Sequence, residues 1–451
     1  MTKERSSFTG KIGFVLAAAG SAVGLGNIWR FPYLAAKYGG GIFLLVYLIL
    51  AVTFGFALMV AEIAIGRKTG KSPFEAFKSL NPKWGFLGKL TTIVPIIIFP
   101  YYCVIGGWVM KYVLIFFGGQ LENAAGAGYF GNYIAQPVEP VVWLSIFILI
   151  TAVVVIMGVQ KGIENASKFM MPVLAVLAVV IALFVVCRPE AIEGLKFYLL
   201  PDFSKFSVMT VLGAMGQLFY SMSLAMGIMI TYGSYMKKDN SIESCVRQIE
   251  LFDTGIAFLA GLMIIPSVFV FSGGDPAALG AGPGLMFMAL PKVFATMKMG
   301  TLIGALFFIL VFFAALTSAI SLMETIVSFF MDKLGWSRKF AGCFVAVLSF
   351  AIGVPSSLGF GAWSFISWMG MSVLDIMDFV SNSVLMPIVA CITCIFVGHV
   401  IGTKAIADEV KATDGKFKAE KLFTVMIKYV CPIFLIIILA SSVATLFGFS
   451  L

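Results

Sequence analysis

The sequence predicts an all-α polytopic membrane protein with eleven transmembrane helices, arranged as two five-helix halves and one extra helix. Of its 451 residues, 60% are hydrophobic and 12% charged, and its mean hydropathy is +1.03. This composition lies far outside the balance of soluble globular proteins. Apolar windows of spanning length recur along the chain, and glycines interrupt the first and the sixth. We therefore expect helices 1 and 6 to be unwound near the membrane midplane.

The apolar windows divide the chain into membrane spans joined by short loops. The eleven windows fall at about 12–36, 42–66, 89–117, 142–158, 165–187, 208–236, 247–272, 293–331, 339–354, 372–400 and 425–447. The longest polar loops hold only about 20 to 25 residues, too few for a separate soluble domain. We expect one transmembrane domain over 1–451, with repeat one at about 8–190, repeat two at about 206–400 and an extra helix at about 425–447.

The basic residues predict the orientation of the chain in the bilayer. With a cytoplasmic N-terminus, the loops on the inside hold 23 lysines and arginines and those on the outside hold six. Basic residues accumulate in cytoplasmic loops of membrane proteins. The sequence thus predicts a multi-pass plasma-membrane protein with a cytoplasmic N-terminus and an extracellular C-terminus. Because the net charge of +9 resides in these loops, it does not indicate a nucleic-acid partner.

Two interrupted spans indicate where the function lies. GSAVGLGNIWRFP, at 20–32, combines three glycines with Asn27, Arg30 and a proline, each of which weakens or polarises a membrane helix. GAMGQLFYSMSLAMG, at 213–227, interrupts the sixth span, which is five spans after the first. Matched breaks are typical of secondary transporters built from inverted repeats, whose half-helix ends bind anions and cations. The alternative is that the glycines only permit close helix packing.

Polar side chains at membrane depth are further candidates, because burying them in a bilayer is costly. They are Asn27, Arg30, Glu62, Lys111, Asp253, Glu324, Asp375 and Asp378. In addition, LTSAIS at 316–321 places hydroxyl groups on one helix of the eighth span. Those hydroxyls either bind sodium or donate to carbonyls of their own helix, and the residues alone favour neither reading.

Other function classes find little support in the sequence. The single histidine, His399, lies at a helix end, and no nucleophile with a base and no metal-ligand spacing is present, so we expect no enzyme activity. The sequence contains no segment that resembles the selectivity filter of an ion channel, so it does not indicate a channel. A sensor that binds its ligand without transporting it remains an alternative.

The interrupted motifs resemble the neurotransmitter:sodium symporter family, in its bacterial amino-acid transporter branch of eleven-span type. The resemblance extends over nearly the whole chain through GSAVGLGNIWRFP, LMVAEIAIGR, PYYCVIGGW, GQLFYSMSL, ITYGSYMKKD, FFAALTSAIS and LDIMDF. It implies a 5+5 inverted-repeat fold and sodium-coupled import of hydrophobic or aromatic amino acids by alternating access. Transport of another small amine or amino-acid-like solute, or sodium-dependent sensing, is the alternative.

The resemblance also implies two sodium sites built from oxygen ligands, which suit a small hard cation. The first would use the carbonyl of Ala22, the side chains of Asn27, Ser221 and Asp253, and the substrate carboxylate. The second would use the carbonyls of Gly20, Val23 and Ala314 and the hydroxyls of Thr317 and Ser318.

By the same resemblance, the substrate would lie between the two breaks. Its carboxylate would meet the amides of Leu25 and Gly26 and the hydroxyl of Tyr102, and its ammonium would meet carbonyls of the sixth span. The implied substrate-binding residues are Ala22, Gly24, Leu25, Gly26, Ile98, Tyr102, Tyr220, Ser223, Met226, Ser318 and Leu322. Their largely apolar character favours a hydrophobic or aromatic amino acid.

Two gates and one support are implied as well. The outer gate would consist of Arg30 and Asp378 with Tyr102 and Tyr220. The inner gate would consist of Arg5, Phe8, Ser234, Tyr235 and Asp332. Glu62 would accept hydrogen bonds from unwound backbone, which lipid cannot satisfy.

One departure from the family pattern is Asp253, where many relatives have asparagine. A carboxylate there supplies the negative charge that chloride supplies in chloride-dependent relatives. We therefore expect no chloride requirement, and we expect that Asp253 can take up a proton when sodium leaves, which would allow proton counter-transport. The oligomeric state is not indicated by the sequence.

Overall fold

The computed structural model describes residues 6–272 and 282–446, and this part of the chain is almost entirely helical and contains no β-strand. The predicted helical membrane fold is confirmed. Among the described residues, nine helices and one bent pair, span 1, have the length and hydropathy of a membrane span, and the predicted sixth span contributes the shorter apolar helix Val208–Ser221. Nine spans are continuous: Gly41–Thr69, Pro82–Phe117, Glu139–Ile156, Val159–Val186, Ile242–Ser272, Gly300–Leu334, Arg338–Leu358, Val373–Val400 and Glu420–Leu446. They are spans 2 to 5 and 7 to 11. Spans 1 and 6 are each built from two shorter helices.

Span 1 is broken at the predicted position. Its halves, Lys11–Ala22 and Gly26–Lys37, meet at an angle of 53°. The first turn of the second half, Gly26–Arg30, is wound as a π-helix, which is a frequent feature of functional sites. The break therefore leaves helix ends inside the bundle, where their backbone groups need other partners.

Span 6 is broken between Val208–Ser221 and Ile228–Gly233. The intervening backbone turns through the left-handed region at Ser223 (φ 53°) and Ala225 (φ 59°), a conformation that residues with a side chain rarely adopt. Such strain persists only where surrounding contacts enforce it, and it concentrates at functional sites.

The limits of several spans differ from those predicted, most clearly for spans 3 and 8. Span 8 was expected from residue 293, but the chain forms a separate helix, Leu285–Ala295, before span 8 begins at Gly300. Met299, with φ 111°, makes the turn between them, so the apolar run is divided although its hydropathy continues. Span 3 was expected from residue 89 and begins at Pro82.

The broken spans lie at the centre of the bundle. The first half of span 1 packs against spans 5, 7 and 8, and span 3 packs along span 8. Burial follows this order: 78% of the most apolar windows of spans 3 and 8 is buried, but only 28% of that of span 11. Span 11 is thus peripheral, and the breaks are shielded from lipid on all sides.

The helix bundle has two ends, the N-terminal face and the opposite face. The N-terminal face carries residues 6–10 and the loops before spans 3, 7, 9 and 11. The opposite face carries the loops before spans 4, 6 and 10. On the N-terminal face, a linker helix, Thr403–Asp414, joins spans 10 and 11.

Candidate functional site

A small cavity of about 30 Å³ lies between the two helix breaks. It is lined by Ser21, Ala22, Gly24, Leu25, Gly26, Asn27, Ile98, Tyr102, Tyr220, Ser221, Ser223, Met226, Ile228, Ser318 and Leu322. All eleven residues that the sequence predicted to contact substrate are among them. Ser21 and Ile228 also line the cavity and were not predicted, although each lies within two residues of a break.

Two glycines let the surrounding groups approach the backbone of the first break closely. A Cβ atom on Gly24 would lie 2.9 Å from Ser318 Oγ and 3.3 Å from the Tyr102 hydroxyl. One on Gly26 would lie 2.7 Å from two carbon atoms of the Tyr220 ring. The distances of 2.9 Å at Gly24 and 2.7 Å at Gly26 are too short for non-bonded atoms, so glycine is required for this packing.

Hydrogen-bond donors face the cavity at this break. Leu25 and Gly26 stand where the second half of span 1 begins, and the first amides of a helix have no acceptor within it. The Tyr102 hydroxyl is buried and makes no hydrogen bond within the described chain. Amides and a hydroxyl at the positive end of a helix form a suitable binding site for a carboxylate.

The Asp253 carboxylate lies at the meeting point of spans 1, 2, 6 and 7 and is completely buried. Asn27 Nδ2 and Ser221 Oγ donate to its Oδ1 over 2.8 and 2.7 Å, and the Tyr47 hydroxyl donates to Oδ2 over 3.3 Å. The Asn27 side-chain oxygen accepts from the amide of Gly24 over 3.0 Å. The structure thus brings the three predicted side chains together around a buried negative charge.

Tyr47 was not predicted as part of this cluster. A tyrosine within an apolar span carries a hydroxyl that needs a partner when it is buried, and this was the available signal.

A second group of oxygen atoms surrounds the Ser318 hydroxyl. The carbonyl oxygens of Ser21 and Ala314 lie 3.1 Å from Ser318 Oγ, and those of Gly20 and Val23 lie 3.5 Å away. A hydroxyl has one hydrogen to donate, so most of these lone pairs remain without a donor from Ser318. Converging oxygen atoms of this kind suit a hard cation.

Thr317 differs from the other predicted members of this group in its contacts. Its hydroxyl donates to carbonyls of its own helix, at 2.9 Å from Phe313 and 3.2 Å from Ala314. Its Cβ atom lies against Gly20, where an added Cβ would approach to 3.2 Å. Thr317 therefore holds span 8 close to the break of span 1.

Glu62 of span 2 contacts the break of span 6. Its Oε1 accepts a hydrogen bond of 2.7 Å from the amide of Ala225, one of the two residues in the left-handed conformation. Glu62 is only 2% exposed. The carboxylate thereby stabilises backbone that has left the helix and that lipid could not satisfy.

Towards the opposite face, the cavity is separated from a larger vestibule by Tyr220, which lines both. The vestibule has a volume of about 470 Å³, and its lining includes Arg30 and Asp378. Arg30 lies over the Tyr220 ring, 5.1 Å from its centroid. Within the described residues Arg30 and Asp378 form no ion pair, so this face is the more open one.

Asp378 instead binds two neighbours that were not predicted for the gate. The Tyr101 hydroxyl donates to its Oδ1 over 3.1 Å and Asn382 Nδ2 over 2.6 Å. Tyr102, which was expected at the gate, points into the central cavity.

Towards the N-terminal face, aromatic packing closes the bundle. Phe8 is fully buried, packs edge-on against Phe14, Tyr232 and Tyr235, and donates its amide to the carbonyl of Tyr235 over 3.1 Å. The Tyr235 hydroxyl donates to Glu324 over 2.6 Å. Among the described residues, this buried aromatic packing shields the site on the N-terminal side.

The remaining predicted gate residues lie near this closure. Ser234 donates to the carbonyl of Thr231 in its own helix, and Asp332 accepts from the amide of Ser72 over 2.7 Å. Arg5 lies outside the described residues. Glu324 also pairs with Arg338 over 2.6 Å, an ion pair that sequence reasoning did not assign to the gate.

Comparison with known proteins gives consistent matches over the whole chain. The model of the sodium:neurotransmitter symporter family matches residues 5–130 and 130–449. An uncharacterized sodium-dependent transporter of Bacillus subtilis is 35% identical over 97% of both chains. One of Haemophilus influenzae is 31% identical over 98% of both. The crystal structure of MhsT in complex with L-phenylalanine is similar with 37% identity and a TM-score of 0.87, over 97% of this chain and 100% of that one.

Proposed function

We propose that this chain, which belongs to the sodium:neurotransmitter symporter family and is a sodium-dependent symporter, imports hydrophobic or aromatic amino acids by alternating access. The observation that carries the proposal is the central cavity, whose polar groups gather at the helix breaks while Ile98, Met226 and Leu322 form its apolar wall. The similar MhsT structure holds L-phenylalanine, which agrees with this substrate class.

The amino acid would be held by its two charged groups. Its carboxylate would accept hydrogen bonds from the amides of Leu25 and Gly26 and from the Tyr102 hydroxyl, which has no other partner in the described chain. Its ammonium would meet carbonyls freed by the break of span 6. These contacts recognise any α-amino acid, so the apolar wall determines the preference among side chains.

The first sodium ion would bind beside Asp253, with the Ala22 carbonyl, Asn27, Ser221 and the substrate carboxylate completing its oxygen shell. In the structure, Asn27 turns its nitrogen towards Asp253 and its oxygen towards Gly24. On binding, the ion would take the place of these donors, and the Asn27 amide would rotate so that its oxygen faces the ion. Sodium and substrate would thus bind together, which couples their transport.

The second sodium ion would bind among the oxygens around Ser318, namely the carbonyls of Gly20, Val23 and Ala314 and the hydroxyls of Thr317 and Ser318. The Thr317 hydroxyl would keep donating to its own helix and use its lone pairs for the ion. This site joins span 8 to the break of span 1, so its occupancy would favour the conformation with a closed N-terminal face.

Transport would proceed by closing the vestibule on the opposite face and then opening the N-terminal face. Arg30 and Asp378 would approach across the vestibule and close it over Tyr220, and the packing of Phe8 would then loosen together with Arg5, Ser234, Tyr235 and Asp332. Because Asp253 supplies a fixed negative charge, we propose that chloride is not required and that a proton can replace sodium on the return step. The N-terminal face would be cytoplasmic in the plasma membrane.

The proposal is tested by uptake of labelled phenylalanine into proteoliposomes with an imposed sodium gradient. We expect sodium-dependent accumulation that persists when chloride is replaced by gluconate, with competition by tryptophan, tyrosine and leucine but not by aspartate or lysine. If only charged amino acids or only other amines competed, hydrophobic and aromatic amino acids would be excluded as the substrate class. Sodium-dependent binding without accumulation would instead identify a sensor.

A further inference from the structure

A further cavity lies on the N-terminal face, away from the substrate and sodium sites. It has a volume of about 480 Å³ and is lined by Lys11, Ser241, Glu243, Ser244, Arg247, Lys416 and Lys418. These residues come from the start of span 1, the start of span 7 and the loop that follows the linker helix. Four cationic side chains therefore surround one carboxylate.

The positive charge of this basic pocket is only partly neutralised within the protein. Glu243 pairs with Arg247 over 3.2 Å and accepts the amide of Lys418 over 2.9 Å. Lys11 Nζ donates to the neutral Ser244 hydroxyl over 2.8 Å. Among the described residues, the side chains of Lys416 and Lys418 form no ion pair. The pocket thus keeps a surplus of hydrogen-bond donors for an anion.

The pocket also lies at the edge of the apolar membrane-facing surface. Ile12 directly follows Lys11 and is 70% exposed, and Leu251, one turn after Arg247 on the same face of span 7, is 73% exposed. The Arg247 guanidinium lies over the Phe56 ring, 4.7 Å from its centroid. A ligand in the pocket would therefore have its charged part among the cations and its apolar part along these side chains.

We propose that the basic pocket binds the phosphate group of an anionic membrane phospholipid. Arginine and lysine donors together with serine hydroxyls match the oxygens of a phosphodiester, and basic pockets between membrane helices on the cytoplasmic side recognise such headgroups. A lipid bound there would tie the start of span 1 to the start of span 7 and to the loop before span 11. It would stabilise the closed N-terminal face, whichever amino acid is transported.

The test measures binding of phosphatidylglycerol to the full-length protein in a neutral detergent, by thermal unfolding and by native mass spectrometry. Phosphatidylcholine and inorganic phosphate serve as the other two ligands. We expect phosphatidylglycerol alone to raise the unfolding temperature. Equal stabilisation by inorganic phosphate would overturn the lipid assignment. If neither phosphatidylglycerol nor inorganic phosphate stabilised the protein, the site itself would be overturned.

The variant Lys416→Gln with Lys418→Gln removes two of the cations without touching the transport site. Each cation near an anionic headgroup contributes about fivefold in affinity, so phosphatidylglycerol should bind about 25-fold more weakly. The matched control is Lys83→Gln with Lys89→Gln, which removes the same charge from exposed positions on the same face outside the pocket. If the control lost the same affinity for phosphatidylglycerol, the lipid would be attracted to the whole basic face, and a defined site would be contradicted.

Discussion

Ser221 donates a 2.7 Å hydrogen bond to Asp253, so the last residue of the first helix of span 6 is bound directly to a buried carboxylate of span 7. Asn27 donates to the same oxygen atom from the break of span 1. One carboxylate thereby connects both broken spans. Its charge has no cationic side-chain partner at hydrogen-bonding distance within the described residues, which makes it the natural centre of a cation site.

We predict that Asp253→Asn weakens sodium binding. The substitution keeps an oxygen atom but removes the charge, and losing one partner of a buried charge pair costs roughly 2 kcal/mol or more, so the sodium concentration for half-maximal uptake should rise about 30-fold. If chloride takes over the role of the carboxylate, uptake by the variant should become chloride-dependent. Asp239→Asn, an exposed aspartate, serves as the control and should behave like the wild type. A chloride-independent variant with unchanged sodium dependence would contradict the assignment.

We predict that Gly26→Ala impairs substrate binding. Its Cβ would lie 2.7 Å from the Tyr220 ring and force that ring to move in the cavity. An added methyl group in close packing costs about 1–3 kcal/mol, so phenylalanine affinity should fall about fivefold to 150-fold in a sodium-dependent binding assay. Gly255→Ala makes the same change on span 7 in open space and should leave binding intact. Wild-type affinity of Gly26→Ala would argue against the proposed position of the substrate.

We predict that Tyr102→Phe separates substrate affinity from stability. The hydroxyl has no partner in the described chain, so its removal should leave the unfolding temperature unchanged or raised. A hydrogen bond to a charged group contributes about 1.5–3 kcal/mol, and phenylalanine affinity should fall about 10-fold to 150-fold. Tyr133→Phe removes another buried hydroxyl without a partner, on the opposite face, and should not change affinity. Similar affinities for the two variants would remove Tyr102 from the carboxylate site.

The ion pair between Arg67 and Glu409 predicts a pH dependence of stability. Burial disfavours the charged form of Glu409, but hydrogen bonds from Lys238 and Arg67 outweigh it and hold the pKa of this carboxyl below its ordinary value. Its ionisation therefore stabilises the folded protein above about pH 4.3, and this contribution disappears as the pH falls through the lowered pKa. Glu409 pairs with Arg67 over 2.8 Å and anchors the linker helix to span 2.

The measurement is thermal unfolding of Glu409→Gln between about pH 7 and about pH 2, a range that extends below the lowered pKa of Glu409. At pH 7 the variant should lose about 1–3 kcal/mol, because the buried Arg67 keeps only its neutral partners. The difference from the wild type should shrink below about pH 4.3. Glu193→Gln alters an exposed pair on the opposite face and should have little effect at any pH. A difference independent of pH would exclude the ion pair as its cause.

The exposed thiol of Cys187 tests the orientation of the chain. It lies at the end of span 5 on the opposite face, which we place outside the cell. A membrane-impermeant maleimide should label intact cells, and Cys187→Ser should remove this labelling. Lys83→Cys in that background, on the N-terminal face, should be labelled only after permeabilisation. The reverse pattern would invert the proposed topology.

The sequence by itself determined the membrane-spanning helical fold and both breaks, because these depend on hydropathy and on glycine at helix interruptions. Its contiguous motifs, through their resemblance to a known family, indicated most of the residues that line the cavity. Only the tertiary structure decided which side chains from distant spans meet: Tyr47 at Asp253, Tyr101 and Asn382 at Asp378, and the Ser21 carbonyl at Ser318. It also divided the apolar run before Gly300 and formed the basic pocket from three separate segments. Such contacts arise from helix packing, and local periodicity contains no information about which faces of distant helices will touch.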